Sequence, residues 1–336
     1  MHPFSRLAFL ANSIWLWITL FAIIPIASAQ KNAPTSPWPS SFKLKRPAKI
    51  LLISKEEIFI YHTRHFELRS SKALSERHLQ KFATIAESVP QALAKIPLPL
   101  LGMPDGNRAQ VLIFPDEESF VKAGGVAGAA GYYDGRKKAI MLRADTFLMP
   151  PPPNGSRLPP KADWDLLVHE FVHLCMHRDL AYLPIWFIEG VAEYFAAAHV
   201  NHGVYRFDNI IPSIRDRIKQ GIPHEKDTIT LPTVSETMAL TPQTWRKSVE
   251  LGDPKDSYRN YASSLLLVHT LFHGGEKRRQ TTRVFLNNIQ QRKKLAPQVE
   301  LLIPNEQREK LQKRIRNYWR PRGLRIQFNQ TSNEKS

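Results

Sequence analysis

The stretch LLVHEFVHLCMH, Leu166 to His177, sets two histidines four residues apart with a glutamate directly after the first. On an α-helix that spacing puts His169 and His173 one turn apart on one face, so both imidazoles can point a nitrogen at a single ion. Glu170 lies roughly 100° round the helix from His169, where a carboxylate can reach a water on such an ion without ligating the ion itself. That is the position of a general base. Trp164, Leu167, Val168, Phe171 and Cys175 fall at helical spacing on the other side and predict a buried face, with Cys175 a small core thiol. Asp163 predicts the N-cap, and Asp165 stands in the first turn where the helix dipole favours it. A bare HExxH can also be a chance pair of hydrogen-bonded core histidines, so a third ligand decides more than the motif does.

Catalytic zinc takes three protein ligands and keeps one position for water. Asp179, six residues past His173, stands where a metzincin-type site has its last ligand, but that arrangement turns the chain at a glycine and this chain has Met176 there. The other source is IWFIEGVAEYFAAA, Ile185 to Ala198, in which Glu189 and Glu193 are again four residues apart on an otherwise apolar helix. Carboxylates on such a helix are costly to bury alone, so a cation or a histidine is expected opposite them. Leu183 and Pro184 break the chain between the two helices and let them face each other as a hairpin. This places Glu189 on the metal and gives Glu193 the outer nitrogen of a ligand histidine, whose tautomer it would fix. A half-exposed helix carboxylate is the plainer role for Glu193. His177 extends the histidine row by a turn, as cleft lining or as an exposed helix-end residue.

HEFVH followed by PIWFIEGVAEYF resembles the gluzincin metallopeptidases of the peptidase MA clan, which pair HExxH with a downstream glutamate in a W-x-x-E-G-x-A-x-Y context. More narrowly, the run resembles bacterial secreted proteins of unknown function that carry a peptidase-MA-like domain. The motif core covers about 30 residues, and a looser likeness extends from Phe66 to Trp319. The resemblance implies Zn2+ as cofactor, His169, His173 and Glu189 as its ligands, Glu170 as catalytic base and a peptide or protein as substrate. It implies a zincin-like α+β fold: a small N-terminal mixed sheet with helices, packed on a mainly helical C-terminal lobe, with the metal site between them. It further nominates Ala139 to Leu142 as the edge strand that would pair with an extended substrate. The gap from His173 to Glu189 is shorter than in thermolysin-like and aminopeptidase members, which leaves subfamily and substrate open.

The elements that must position these residues are partly legible. Residues 1–29 carry His2, Arg6, an apolar run from Ile14 to Ile24 and Ala27, Ser28, Ala29, the order of a secretory signal peptide; a retained membrane anchor is the alternative. Either expectation places the protein in the periplasm or outside the cell. Residues 30–47, with Pro34, Pro37, Pro39 and Pro47, read as a spacer that tethers rather than folds. Residues 48–160 read as an α/β lobe, with strands at Lys49–Ile53, Ile58–Leu68 and Gln110–Phe114 and helices at Lys72–Lys95 and Pro115–Lys122. A hairpin joins Gly131–Tyr133 to Lys138–Leu142 through Asp134 and Gly135, and a Pro-rich loop spans Pro150–Pro160. Residues 161–325 read as the zinc-site and helical lobe, with helices at Asn209–Lys219, Ser257–His273, Arg278–Gln291 and Asn305–Trp319 and a loop-rich stretch from Gly221 to Asp256. Residues 326–336 read as a polar tail. His269 and His273 form a second pair at helical spacing, but no glutamate follows the first and no acidic helix lies downstream, so they read as core or helix-end histidines. Tyr261, with Tyr258 beside it, is the candidate donor to an oxyanion, against a plain packing role.

The chain is basic, at net +17, and the excess gathers toward its end: Glu276 to Arg325 holds 15 Lys and Arg against 4 Asp and Glu, a local +11. Such a surface attracts polyanions. No base-reading motif is recognisable, which argues against nucleic acid and for an anionic envelope component, with a merely solvated basic face as the alternative. The single cysteine excludes an intramolecular disulfide. Nothing in the sequence marks an oligomeric state. The expected function is a secreted or envelope-facing zinc-dependent hydrolase, a peptidase. Its rival is a catalytically weak or inactive zincin-fold envelope scaffold, which would have no need of Glu170.

Overall fold

The computed structural model describes residues 37–147, 163–222 and 228–330. The expected leader, the first part of the spacer and the Pro-rich loop lie outside the described residues. From Pro37 to Lys43 the expected spacer is packed. Trp38 sets its ring against Phe272, His273 and Tyr194 at 5.1, 5.4 and 6.4 Å between centroids. β1 (Ser41–Lys43) pairs antiparallel with Val204–Arg206. Trp38 and Phe42 carry too much apolar area to leave in water, and the prolines around them interrupt helix without preventing an edge strand.

The main sheet comprises β2 (Leu51–Lys55), β3 (Phe59–His62), β4 (Phe66–Ser70), β5 (Ala109–Phe114), β6 (Gly131–Asp134) and β7 (Ala139–Arg143). Helix α1 (Glu76–Lys95) crosses between β4 and β5, α2 (Glu117–Lys122) follows β5, and α3 (Ala144–Phe147) follows β7. The order is β2-β3-β4-β5-β7-β6, parallel at β4/β5 and β5/β7 and antiparallel elsewhere. The stretch Ile58–Leu68, expected to contain strand, holds β3 and the start of β4, which are separate because Thr63 to His65 turn back. Thr63 Oγ1 and the His65 N–H both donate to Glu87 Oε1, at 2.6 and 2.8 Å. The nominated substrate strand is also corrected. β7 lies inside the sheet with Ala139, Ile140, Met141 and Leu142 all buried, and β6 is the edge. Unbroken apolar sequence marks a strand covered on both faces, and Ala139 to Leu142 is such a run.

The helical part runs through α4 (Trp164–Cys175), α5 (His177–Leu180), α6 (Ile185–Ala198), β8 (His199–Asn201), β9 (Val204–Arg206), α7 (Ile210–Gly221), β10 (Thr228–Leu231), α8 (Val234–Ala239), α9 (Pro242–Leu251), α10 (Pro254–His273), α11 (Glu276–Gln290), α12 (Leu295–Leu302) and α13 (Asn305–Trp319). The stretch from Gly221 to Asp256, expected to be loop-rich, holds β10, α8 and α9. Thr233 with Glu236, and Thr241 with Thr244, form reciprocal capping boxes, and Pro242 occupies the first turn of α9. After a 3-10 turn at Arg320–Arg322, β11 (Arg325–Phe328) pairs parallel with β10. The expected polar tail therefore begins as a strand, because Ile326 and Phe328 pack into the core.

Sheet and helices form a mixed α+β arrangement around one apolar cluster. Phe171 of α4 meets Phe66 of β4 and Phe82 of α1 at 4.8 and 5.8 Å between centroids. α6 is buried along nearly its whole length and lies against both α4 and α10. A Cβ placed on Gly190 would stand 2.4 Å from the carbonyl oxygen of Ser264, so only glycine lets α6 and α10 approach this closely.

His269 and His273 take the core role expected of them. The His273 ring meets Tyr194 Oη at 2.8 Å, and His269 packs on Trp319 at 5.2 Å between centroids. Burial first, then neighbouring positive charge, pushes His269 down to about 3 and His273 down to about 4. Because both values lie below the unfolded value of about 6.5, the stability tied to the neutral rings is complete above that pH and is lost as pH falls toward the folded values. Between pH 7 and 5 His269 alone should account for a loss of about 2 kcal/mol, measured by urea unfolding at the two pH values. His269→Gln should remove that part of the slope, and an unchanged slope would contradict this assignment.

Candidate metal centre

The two site helices form where local sequence says they should. The Asp163 carboxylate accepts the N–H groups of Asp165 and Leu166 at 3.1 and 2.9 Å and starts α4. After the short α5, Pro184 opens α6, and the hairpin brings the two polar stripes together. The Nε2 atoms of His169 and His173 are 3.0 Å apart. Glu189 Oε2 lies 3.2 Å from the first and 3.5 Å from the second. All three side chains are buried, and among the described residues they are the only set of His, Cys, Asp or Glu whose donor atoms converge in this way.

These positions fit a metal. Donors about 2 Å from one tetrahedral ion stand roughly 3.3 Å from each other, and the three distances straddle that value. Two imidazoles and a carboxylate, with no thiolate, form a donor set suited to Zn2+. The electrostatics agree. Burial would raise Glu189, but the charge of His173 and hydrogen bonding from both histidines outweigh it and hold the carboxyl down to about 2. Burial would lower His169, but Glu189 and Glu193 overcome it and push the ring up to about 10. The pocket thus favours positive charge where the two Nε2 atoms meet.

Glu193, expected to hydrogen-bond the outer nitrogen of a ligand histidine, lies beside His169. Its Oε1 stands 3.0 Å from His169 Nδ1, within ion-pair range though not aligned as a hydrogen bond. Its other partner is one that sequence reasoning missed: Arg217 of α7 donates through Nε to Oε2 at 2.5 Å and through Nη2 to Oε1 at 3.1 Å. Burial opposes ionisation of Glu193, and the Arg217 charge and the His169 contact overcome it, so the carboxyl sits well below the usual carboxylate range. A signal was present, since Arg217 falls on the helical stripe of Ile210, Ile214 and Ile218, and a guanidinium on an apolar stripe asks for a buried anion.

Glu170 is buried, and burial first, opposed by the charges of His169 and His173, raises its carboxyl. Its Oε2 accepts the backbone N–H of Tyr133 on β6 at 2.7 Å. Tyr133 pairs with Ile140 and Gly131 with Leu142, so by antiparallel alternation the main-chain groups of Gly131 and Tyr133 point away from β7, onto the side of β6 that pairs with no further strand and meets Glu170. Tyr133 also hydrogen-bonds His177 Nδ1 through its hydroxyl. The hairpin is encoded locally, whereas its contact with Glu170 joins residues 37 apart in the chain. Tyr261 of α10 is brought near the cluster, its ring 6.0 Å from that of His169 and 4.8 Å from that of Trp245. Burial, then the Glu189 charge, raises its phenol and keeps it a hydrogen-bond donor. Asp179 lies outside the cluster: it accepts from Arg292 Nη1 at 3.0 Å and Gln290 Nε2 at 3.3 Å, which disposes of the metzincin arrangement.

No protein-family model matches this chain, and no curated protein matches it significantly. What the site can do therefore follows from its own residues. If the Arg217–Glu193 pair holds the His169 ring for a metal, Glu193→Gln or Arg217→Gln should weaken zinc binding about 10- to 100-fold in competition with a chromophoric chelator. Affinity unchanged in folded variants would show that the pair does not act on His169.

Proposed function

We propose that this protein is an exported zinc-dependent hydrolase with a zincin-like fold, a peptidase that cleaves extended polypeptide at the junction of β6 with α4 and α6. The observation that carries this reading is the placement of Glu170, a buried carboxylate in contact with the edge strand β6 and within the field of the histidine cluster. His169, His173 and Glu189 would hold Zn2+, which when bound supplies Lewis acidity toward a carbonyl oxygen and acidifies water.

The chain's own groups supply the rest. Glu170 takes a proton from the attacking water and passes it to the leaving nitrogen as the C–N bond breaks, the water oxygen ending in the new carboxylate. Gly131 and the carbonyl of Tyr133, whose N–H is taken by Glu170, would offer main-chain groups to an extended substrate in the manner of an added strand. Tyr261, kept a phenol by its surroundings, donates to the developing oxyanion. Glu193, clamped by Arg217, holds the His169 ring in place. Export rests on the leader-like residues 1–29; among the described residues, no helix is long and apolar enough to cross a membrane.

The test is hydrolysis of a quenched-fluorescence peptide library by the zinc-loaded chain lacking residues 1–29. Glu170→Gln should keep its zinc and lose roughly 10²- to 10⁴-fold in turnover. A zinc-loaded wild type inert across the library would favour the scaffold reading, and an equally active Glu170→Gln would remove the general base from the account.

A further inference from the structure

α10, α11 and α13 enclose a cleft of about 360 Å3 that none of the metal-cluster residues lines. Its walls include Arg278 from α11, Arg314 and Tyr318 from α13, and His269 and His273 from α10, and no carboxylate is among them. Three cations on the two outer helices are neutralised locally, Arg279 by Glu276, Arg308 by Glu300 and Lys313 by Glu309, and several others stand exposed on the outer surface rather than in the cleft. Among the described residues, Arg278 and Arg314 have no such carboxylate partner. Burial, then the like charge of Arg314, holds Arg278 below the ordinary arginine value, as expected of guanidinium groups gathered without a counter-ion. A third cation lies close by, the Arg322 guanidinium standing 3.8 Å over the ring of Tyr318, itself a lining residue.

Two further features suit a binding site. His269 is 3% exposed, and its Nδ1 has no hydrogen-bond partner, a state that is costly for a buried polar atom. A Cβ on Gly274 would stand 2.5 Å from Arg278 Cδ, so glycine at the end of α10 makes the room that Arg278 occupies. The volume is in the range of small-molecule sites. Arginine forks match tetrahedral oxyanions, and a phosphomonoester carries about −1.5 to −2 at neutral pH, enough to answer two guanidinium charges where a carboxylate would answer one.

We propose that this cleft binds a phosphomonoester, with the phosphate between Arg278 and Arg314 over His269 and the esterified group against Tyr318. The inference is independent of the hydrolase reading. The phosphate could belong to a soluble metabolite or to a lipid headgroup, and the probes separate them: glycerol phosphate and inorganic phosphate by titration calorimetry, and phosphatidylcholine vesicles with and without phosphatidic acid by co-sedimentation. One glycerol phosphate should bind per chain. Arg278→Gln and Arg314→Gln should each weaken it about tenfold or more, while Arg316→Gln, exposed on α13 outside the cleft, should leave it within about twofold. Capture by phosphatidic acid vesicles, lost in the same two variants, would assign the phosphate to lipid, and binding of glycerol phosphate alone would assign it to a soluble ester. Equal losses in all three variants would reduce the cleft to general basic surface, and no binding of any probe by the folded wild type would overturn the proposal.

Discussion

Two carboxylates, Glu189 and Glu193, enter the protein interior on a helix whose other side chains are almost all apolar, and the surrounding elements are arranged to answer their charge. Leaving either without a partner would cost several kcal/mol. Glu193 meets Arg217 and His169, and Glu189 meets both site histidines. Meeting those requirements fixes neighbours well beyond the site. α7 has to present a guanidinium on its apolar stripe, and α4 has to turn its histidines toward α6. α10 approaches α6 closely enough at Gly190 for Tyr261 to stand beside His169.

The parts of this arrangement that local sequence encodes were legible. The period of α4, its Asp163 cap, the break at Pro184 and the paired glutamates of α6 are properties of short windows, and they were enough to bring His169, His173 and Glu189 together. What sequence did not yield depends on distant pairing. Arg217 gains its meaning only from Glu193, which lies 24 residues earlier on another helix. The choice of β7 as the edge strand failed because sheet order is a non-local property, although the unbroken apolar run Ala139–Leu142 already argued for an interior place. The helices between Gly221 and Asp256 were missed for a different reason. Their capping boxes were present in the sequence, but α8 is only six residues long and α9 is polar on average, so neither carries the long apolar stripe that marks a core helix.

The basic C-terminal region takes on structure of its own. Ion pairs along α11, α12 and α13 absorb part of the charge, and Arg278 and Arg314 meet in a cleft without a carboxylate. A high local charge counted from sequence does not distinguish a solvated face from a site. The distribution of partners does, because a cation that faces another cation in a concave surface is held at a loss that a bound anion would recover.

On the proposed function, His169, His173 and Glu189 converge in order to hold a metal ion. Elemental analysis of the purified protein after zinc exposure and desalting tests it most directly, with wild type beside Glu189→Ala and Asp179→Ala. One zinc per chain is expected in wild type and Asp179→Ala, and its loss in Glu189→Ala, with all three folded. A wild type without zinc, or a Glu189→Ala variant that keeps a full equivalent, would contradict it.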